Sequence, residues 1–143
     1  MKYLLDTNVL SEIRKPRGHP GVKVFINALR DEDLFISVIS IGEIRFGIEK
    51  LPPGPKKTEL LIWLTQKLPE YFGNRIVTLD VDIMSEWGRL QAQTPRTLPA
   101  FDSLIAASAL ARRMTVLTRN VKDFEKIEGI SLLNPWTEAP YDE

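Results

Sequence analysis

Short apolar runs alternate with apolar residues at helical spacing along this chain. Tyr3-Leu4-Leu5, Leu34 to Val38, Arg75 to Leu79 and Thr115 to Thr118 are brief apolar or β-branched runs, and each predicts a β-strand. Ile130 to Leu133, just before Pro135, predicts a further strand at a sheet edge. Between these runs the period changes to that of a helix. Val9, Leu10 and Ile13 mark a short helix, and Val22, Phe25, Ile26 and Leu29 mark a second. Ile41, Ile44 and Ile48 share a helix face, with Ser40 and Glu43 spaced as a capping box at its start. Pro52, Pro53 and Pro55 end that helix. Leu60, Leu61, Leu64 and Leu68 mark the next, with Pro69 as its expected stop. Ile83, Trp87 and Leu90 give another, and Phe101 to Ala109 an Ala-rich one. Asn120 to Ile127 predicts a turn and a short helix.

Strands alternating with helices predict an α/β fold, a parallel sheet of four to five strands with helices on both faces and right-handed crossovers. The 143 residues fit one domain with a core of its own, without repeats or linkers. Residues 1–136 form the expected domain, and 137–143, with Glu138, Asp142 and Glu143, an acidic tail.

Charge and rare residues narrow the chemistry. Nineteen basic residues balance nineteen acidic ones, so any nucleic-acid contact must rest on local charge. There is no cysteine, which removes disulfides, thiolate nucleophiles and Cys-ligated zinc and fits a cytoplasmic compartment. Asp6 interrupts the first apolar run before a signal-peptide core could form. No apolar window reaches the length of about 18 residues that a membrane span needs. His19 is the single histidine and lies among Pro and Gly, so it reads as an exposed loop residue rather than a triad base. Neither a dinucleotide-binding glycine motif nor a P-loop is present.

Carboxylates remain. Asp6 ends the first strand, and Asn120 and Asp123 follow the fourth. Ligands of open parallel sheets bind beyond the carboxyl ends of the strands. Glu43 and Asp102, each near a helix start, can reach the same crest. Two carboxylates about 4 Å apart repel by roughly 4 kcal/mol at an effective dielectric near 20, so a crowded set calls for a cation. All-oxygen donors favour Mg²⁺ or Mn²⁺. Three of the acids also have a simpler explanation: Glu43 as capping partner, Asp102 in favourable contact with a helix dipole, Asp123 as a solvated cap; Asp6, directly after an apolar strand and before Thr7-Asn8, is the hardest to explain in that way.

Leu4 to Leu10, Ser37 to Ile44 with Gly47, Phe101 to Ala107, Leu117 to Phe124 and Leu133 to Trp136 together resemble PIN-domain proteins, in family order and over nearly the whole chain. The similarity is greatest to VapC-type toxins of bacterial toxin–antitoxin pairs, in the FitB-like branch. The resemblance implies a PIN-like three-layer fold and a Mg²⁺-dependent endoribonuclease, with Mn²⁺ able to substitute. It also implies a homodimer held inactive by a cognate antitoxin. Phosphodiesters would be hydrolysed by metal-activated water, leaving a 5′-phosphate and a 3′-hydroxyl. The family's metal-binding acids match Asp6, Glu43 and Asp102. The fourth position falls on Asn120 in some members and Asp123 in others, and Asp123 is preferred because it carries charge. Thr7, Asn8, Ser40, Thr118 and Asn120 are expected to support these acids. Arg14, Lys15, Arg119 and Lys122 are the expected RNA contacts, with Arg17 nearby. Arg45 and the apolar residues Phe46, Ile48, Leu51, Leu61, Trp63 and Leu64 are candidates for a partner surface.

Two other functions compete. A non-catalytic PIN-like module could bind RNA or antitoxin, although four retained acids argue against it. A phosphotransferase of the haloacid-dehalogenase type uses an Asp after the first strand. It usually also needs a second Asp two residues later, where this chain has Asn8.

Overall fold

A computed structural model describes residues 1–95 and 97–137. Of the expected acidic tail, only Thr137 lies within the described residues. Five parallel strands form one sheet in the order β3-β2-β1-β4-β5. They are β1 (Tyr3–Leu5), β2 (Leu34–Ser37), β3 (Ile76–Val77), β4 (Thr115–Leu117) and β5 (Leu132–Leu133). β1 is central. Leu4 stands beside Phe35 on one side and Val116 on the other, and Leu5 pairs with Leu117.

The strands explain the layers. Side chains alternate between sheet faces, so Leu4 and Leu5 enter different cores. Leu4 and Val116 pack with Ile83, Leu90, Ile105, Ala106 and Phe124. Leu5 and Leu117 pack with Val9, Leu10, Val22, Ile26, Leu64 and Phe72. Both faces are covered, as expected of an all-parallel sheet. The helices are α1 (Thr7–Arg14), α2 (Pro20–Asn27), α3 (Val38–Glu49), α4 (Pro55–Ile62), α5 (Leu68–Phe72), α6 (Val81–Gln93) and α7 (Ala100–Arg112). α6 and α7 pack together over the first core. The second core lies beneath α1 to α5. No described helix is long and apolar enough to cross a membrane.

Two local expectations change and a third residue gains a role. Ser37, not Ser40, caps α3, its hydroxyl accepting from the Ile39 N–H at 3.0 Å. The helix therefore starts earlier, Ser40 is fully buried inside it, and Glu43 lies beyond the first turn, which removes its capping role. Pro69 does not end its helix. A π-helical turn at Trp63–Lys67 joins α4 to α5, and Pro69 falls in the first turn of α5. A residue without an N–H costs least in a first turn. His19 is exposed, as expected, but its Nδ1 also caps α2 by accepting from the Val22 N–H.

Candidate active site

The site is built where the strands end. The Asp6 N–H donates to Leu117 O at 2.9 Å, continuing the β1–β4 ladder by one residue. The chain then turns into α1 with Asp6 as N-cap, its Oδ1 accepting from the Thr7 N–H at 2.8 Å. Its Oδ2 accepts from the Thr118 hydroxyl at 2.8 Å and from the Asn8 amide at 3.2 Å. Asp6 is buried, with 6 % of its surface exposed. Burial pushes its carboxyl above the usual range, opposed by the Thr118, Thr7 and Asn8 bonds and reinforced by the Asp123 charge.

The expected supports hold the acids as their chemistry allows. Thr7 Oγ1 lies 2.7 Å from Glu43 Oε1 and 2.8 Å from Ser40 Oγ. One hydroxyl proton serves one acceptor, so Thr7 donates to the carboxylate and the buried Ser40 hydroxyl completes the chain. This contact links α1 to α3. Thr118 is fully buried. Its hydroxyl donates to Asp6 and accepts from the Asn120 N–H at 3.0 Å. Asn8 reaches the same loop, its Oδ1 accepting from the Arg119 N–H at 3.3 Å.

Asp102 sits in the first turn of α7, half-buried. Its pKa is pushed up to about 6, first by burial and then by the negative charges of Asp6, Asp123 and Glu43. Four carboxylates from four segments therefore share one crest and repel one another. None of them forms an ion pair among the described residues. The described residues contain no cluster of three acids already closed around a metal position. The donor set fits a hard divalent cation on two counts: every candidate ligand is an oxygen, and the excess negative charge is what such an ion neutralises. Asn120 precedes a 3₁₀ turn (Val121–Asp123) and supports Asp123 through its backbone, its carbonyl accepting from the Asp123 N–H at 3.0 Å.

The four expected RNA contacts divide. Arg119 and Lys122 lie at the crest, in the loop that carries Asn120 and Asp123. Arg119 is exposed and stacks over Trp136, 5.2 Å from the ring centre, and its carbonyl accepts from Asn134. Arg14 and Lys15 lie at the far end of α1, about 10 Å along its axis from Thr7. Arg14 stands over Trp63, and Lys15 pairs with Glu12 at 3.6 Å. Arg45 pairs along its own helix with Glu49 at 2.6 Å. Of the suggested apolar surface, Ile48 and Leu64 are core and Phe46 is 64 % exposed. Trp136 and Asn134 join the site through Arg119. Along the chain Asn134-Pro135-Trp136 carries only a resemblance, because its contact with Arg119 joins positions distant in sequence.

Known proteins agree with this architecture. The PIN domain family model matches residues 3–130. A VapC ribonuclease, Y4jK, of Sinorhizobium fredii is 32 % identical over 139 residues, covering 95 % of this chain and 99 % of its own. Toxin FitB of Neisseria gonorrhoeae is 32 % identical over 136 residues, covering 93 % of this chain and 97 % of its own. The crystal structure of FitAcB from the same organism superimposes with a TM-score of 0.87 at 31 % identity, covering 94 % of this chain and 99 % of that one. Matched in sequence from the first strand to the edge of the last and in fold over nearly its whole length, this chain belongs to the PIN-domain family.

Proposed function

We propose that this chain is a Mg²⁺-dependent endoribonuclease and the toxin component of a type II toxin–antitoxin pair. The observation that carries the reading is the uncompensated charge at the crest, where Asp6, Asp123 and Glu43 help to lift the Asp102 carboxyl to about 6. Asp6, Glu43, Asp102 and Asp123 would hold the ion, with Mn²⁺ as a substitute. Such an ion, when bound, stabilises charge on a phosphoryl oxygen and lowers the pKa of water. The chain's own side chains set the geometry. Thr118 and Asn8 fix the Asp6 carboxylate, and Thr7 fixes that of Glu43. Arg119 and Lys122 supply positive charge at the rim for the phosphodiester backbone. Water adds at phosphorus and the 3′-oxygen leaves, giving a 5′-phosphate and a 3′-hydroxyl.

Relatives named as a VapC ribonuclease and as Toxin FitB support the activity, and the FitAcB neighbour supports a protein partner. An antitoxin and a second copy of this chain are the partners proposed. The test is cleavage of a mixed small-RNA pool with Mg²⁺, Mn²⁺ or EDTA, beside Asp6→Ala and the gentler Asp102→Asn. Metal-dependent products lost in both variants support the reading. RNA left intact by folded wild-type protein with either metal would overturn it in favour of a binding module. Cleavage that survives both substitutions would point to a contaminating nuclease.

A further inference from the structure

Asp102 is held differently from Asp6 and Glu43. Thr118 and Asn8 bond the Asp6 carboxylate, and Thr7 bonds that of Glu43. The Asp102 carboxylate accepts no hydrogen bond among the described residues, and the charges of Asp6, Asp123 and Glu43 push against it. Its place must therefore be set through the backbone of α7. The start of that helix has no cap of its own, since Pro99 is the N-cap residue and no side chain bonds there. We infer that Trp87, Gln91 and Ser103 are positioning residues for Asp102. Together they set the height and rotation of the first turn of α7 and hold the carboxylate at the crest against its neighbours. The inference rests on the reading of Asp102 as a metal ligand and adds residues that touch neither ion nor substrate.

Trp87 and Gln91 stand four residues apart, on one face of α6. Trp87 Nε1 donates to Ser103 Oγ at 2.9 Å, and Gln91 Nε2 donates to the same oxygen at 3.2 Å. Ser103 Oγ itself donates to Ala100 O at 2.9 Å, within the first turn of α7. A hydroxyl has one proton and two lone pairs, so this one is fully used and fixed from three directions. Ser103 is fully buried, which keeps water from competing for these bonds. Its N–H donates to Pro99 O at 3.0 Å and closes the first backbone turn. Gln91 also grips Leu98: its Oε1 accepts from the Leu98 N–H at 3.2 Å, and its Nε2 donates to Leu98 O at 3.3 Å. One side chain thus holds the chain on both sides of the turn that carries Asp102. Consecutive helix residues point about 100° apart, so Ser103 facing α6 leaves Asp102 turned aside from that interface. α6 is a firm support, with Asp80 as its cap and Ile83 and Leu90 buried in the core.

The test reads metal affinity, apart from cleavage. Mn²⁺ is the probe, since the paramagnetic resonance signal of the free ion is lost on binding. Ser103→Ala and Trp87→Phe each weaken Mn²⁺ binding about tenfold, the lower end of the range for residues behind metal ligands. Ser103→Thr keeps the hydroxyl and restores the affinity, even where its added methyl lowers the melting temperature. Ile105→Val, buried further along the same helix, lowers the melting temperature and leaves the affinity unchanged. Hydrogen exchange without metal is the second readout. The N–H at position 103 exchanges faster in Ser103→Ala and Trp87→Phe than in Ile105→Val. Unchanged affinity in both Ser103→Ala and Trp87→Phe, an equal loss in Ile105→Val, or Ser103→Thr as weak as Ser103→Ala would overturn the inference. If the unsubstituted protein takes up no Mn²⁺, the metal reading fails instead. Exchange at position 103 then decides by itself whether the network holds the turn, and unchanged exchange there overturns that as well.

Discussion

The two ends of the parallel sheet handle charge in opposite ways. At the amino end, Arg75 stands just before β3 and spends its guanidinium on the chain itself. It donates to the carbonyls of Asp31, Leu34 and Tyr71 and lies over the rings of Tyr71 and Phe72. Tyr71 in turn donates to Asp31 at 2.9 Å. The Arg75 guanidinium and the Tyr71 hydroxyl are both partnered there, and the product is a tied edge. At the carboxyl end four acids converge without a paired cation among the described residues, and hydroxyls and an amide orient two of them. A polar cluster that satisfies itself stabilises the fold. One that orients its groups yet leaves their charge uncompensated is arranged for something else to bind.

Neutralising one acid should separate the ends most sharply. Asp102→Asn is expected to lower RNA cleavage by more than about 100-fold, since even residues behind metal ligands cost roughly 10–100-fold. The metal-free melting temperature should hold or rise, because a repelling charge is removed. A clear fall without metal would show that Asp102 serves the dipole of α7 instead. Arg75→Ala is the converse experiment. It should cost about 2–3 kcal/mol in urea unfolding, from lost charged hydrogen bonds, and leave activity per folded molecule unchanged. Equal losses of activity and stability would erase the distinction between the two ends.

Thr118→Val sharpens the comparison within the crest. It keeps the buried shape but removes the donor to Asp6, and cleavage should fall about 10-fold, with Thr118→Ser close to wild type. The smallest effect concerns pH. Asp102 has a folded pKa of about 6 against an ordinary 3.8, so the proton it binds favours the folded state. That contribution is full below 3.8 and is lost as pH rises through 6. Without metal, melting temperature should therefore fall by a few degrees between pH 4 and pH 7. The effect stays small because solvent reaches this carboxyl and screens the coupling. Asp102→Asn should flatten the change, and Mg²⁺ should raise the melting temperature at pH 7 more than at pH 5.

Much of this arrangement is legible along the chain. Tyr3-Leu4-Leu5 before Asp6 marks a buried strand ending in a carboxylate, and the alternation of periods indicates a parallel sheet whose carboxyl end is the crest. Glu43 is less legible, since Ser40-Ile41-Gly42-Glu43 satisfies a capping pattern on spacing alone. Only the earlier cap at Ser37 turns Glu43 toward Thr7. Arg14 and Arg119 look alike as basic residues after acid-bearing motifs. The length of α1 separates them, leaving Arg14 over Trp63 and Arg119 over Trp136. Pro69 reads as a stop, but the π-helical turn before it lets the helical path continue.

By itself the sequence determined the periods, the central strand and the four acids, because each depends on residue type and short spacing. Tertiary structure decided which acids feel one another and which hydroxyl serves which carboxylate. Coulomb coupling and hydrogen bonds depend on distance in space, and Asp6 meets Thr118 only because β1 and β4 lie side by side.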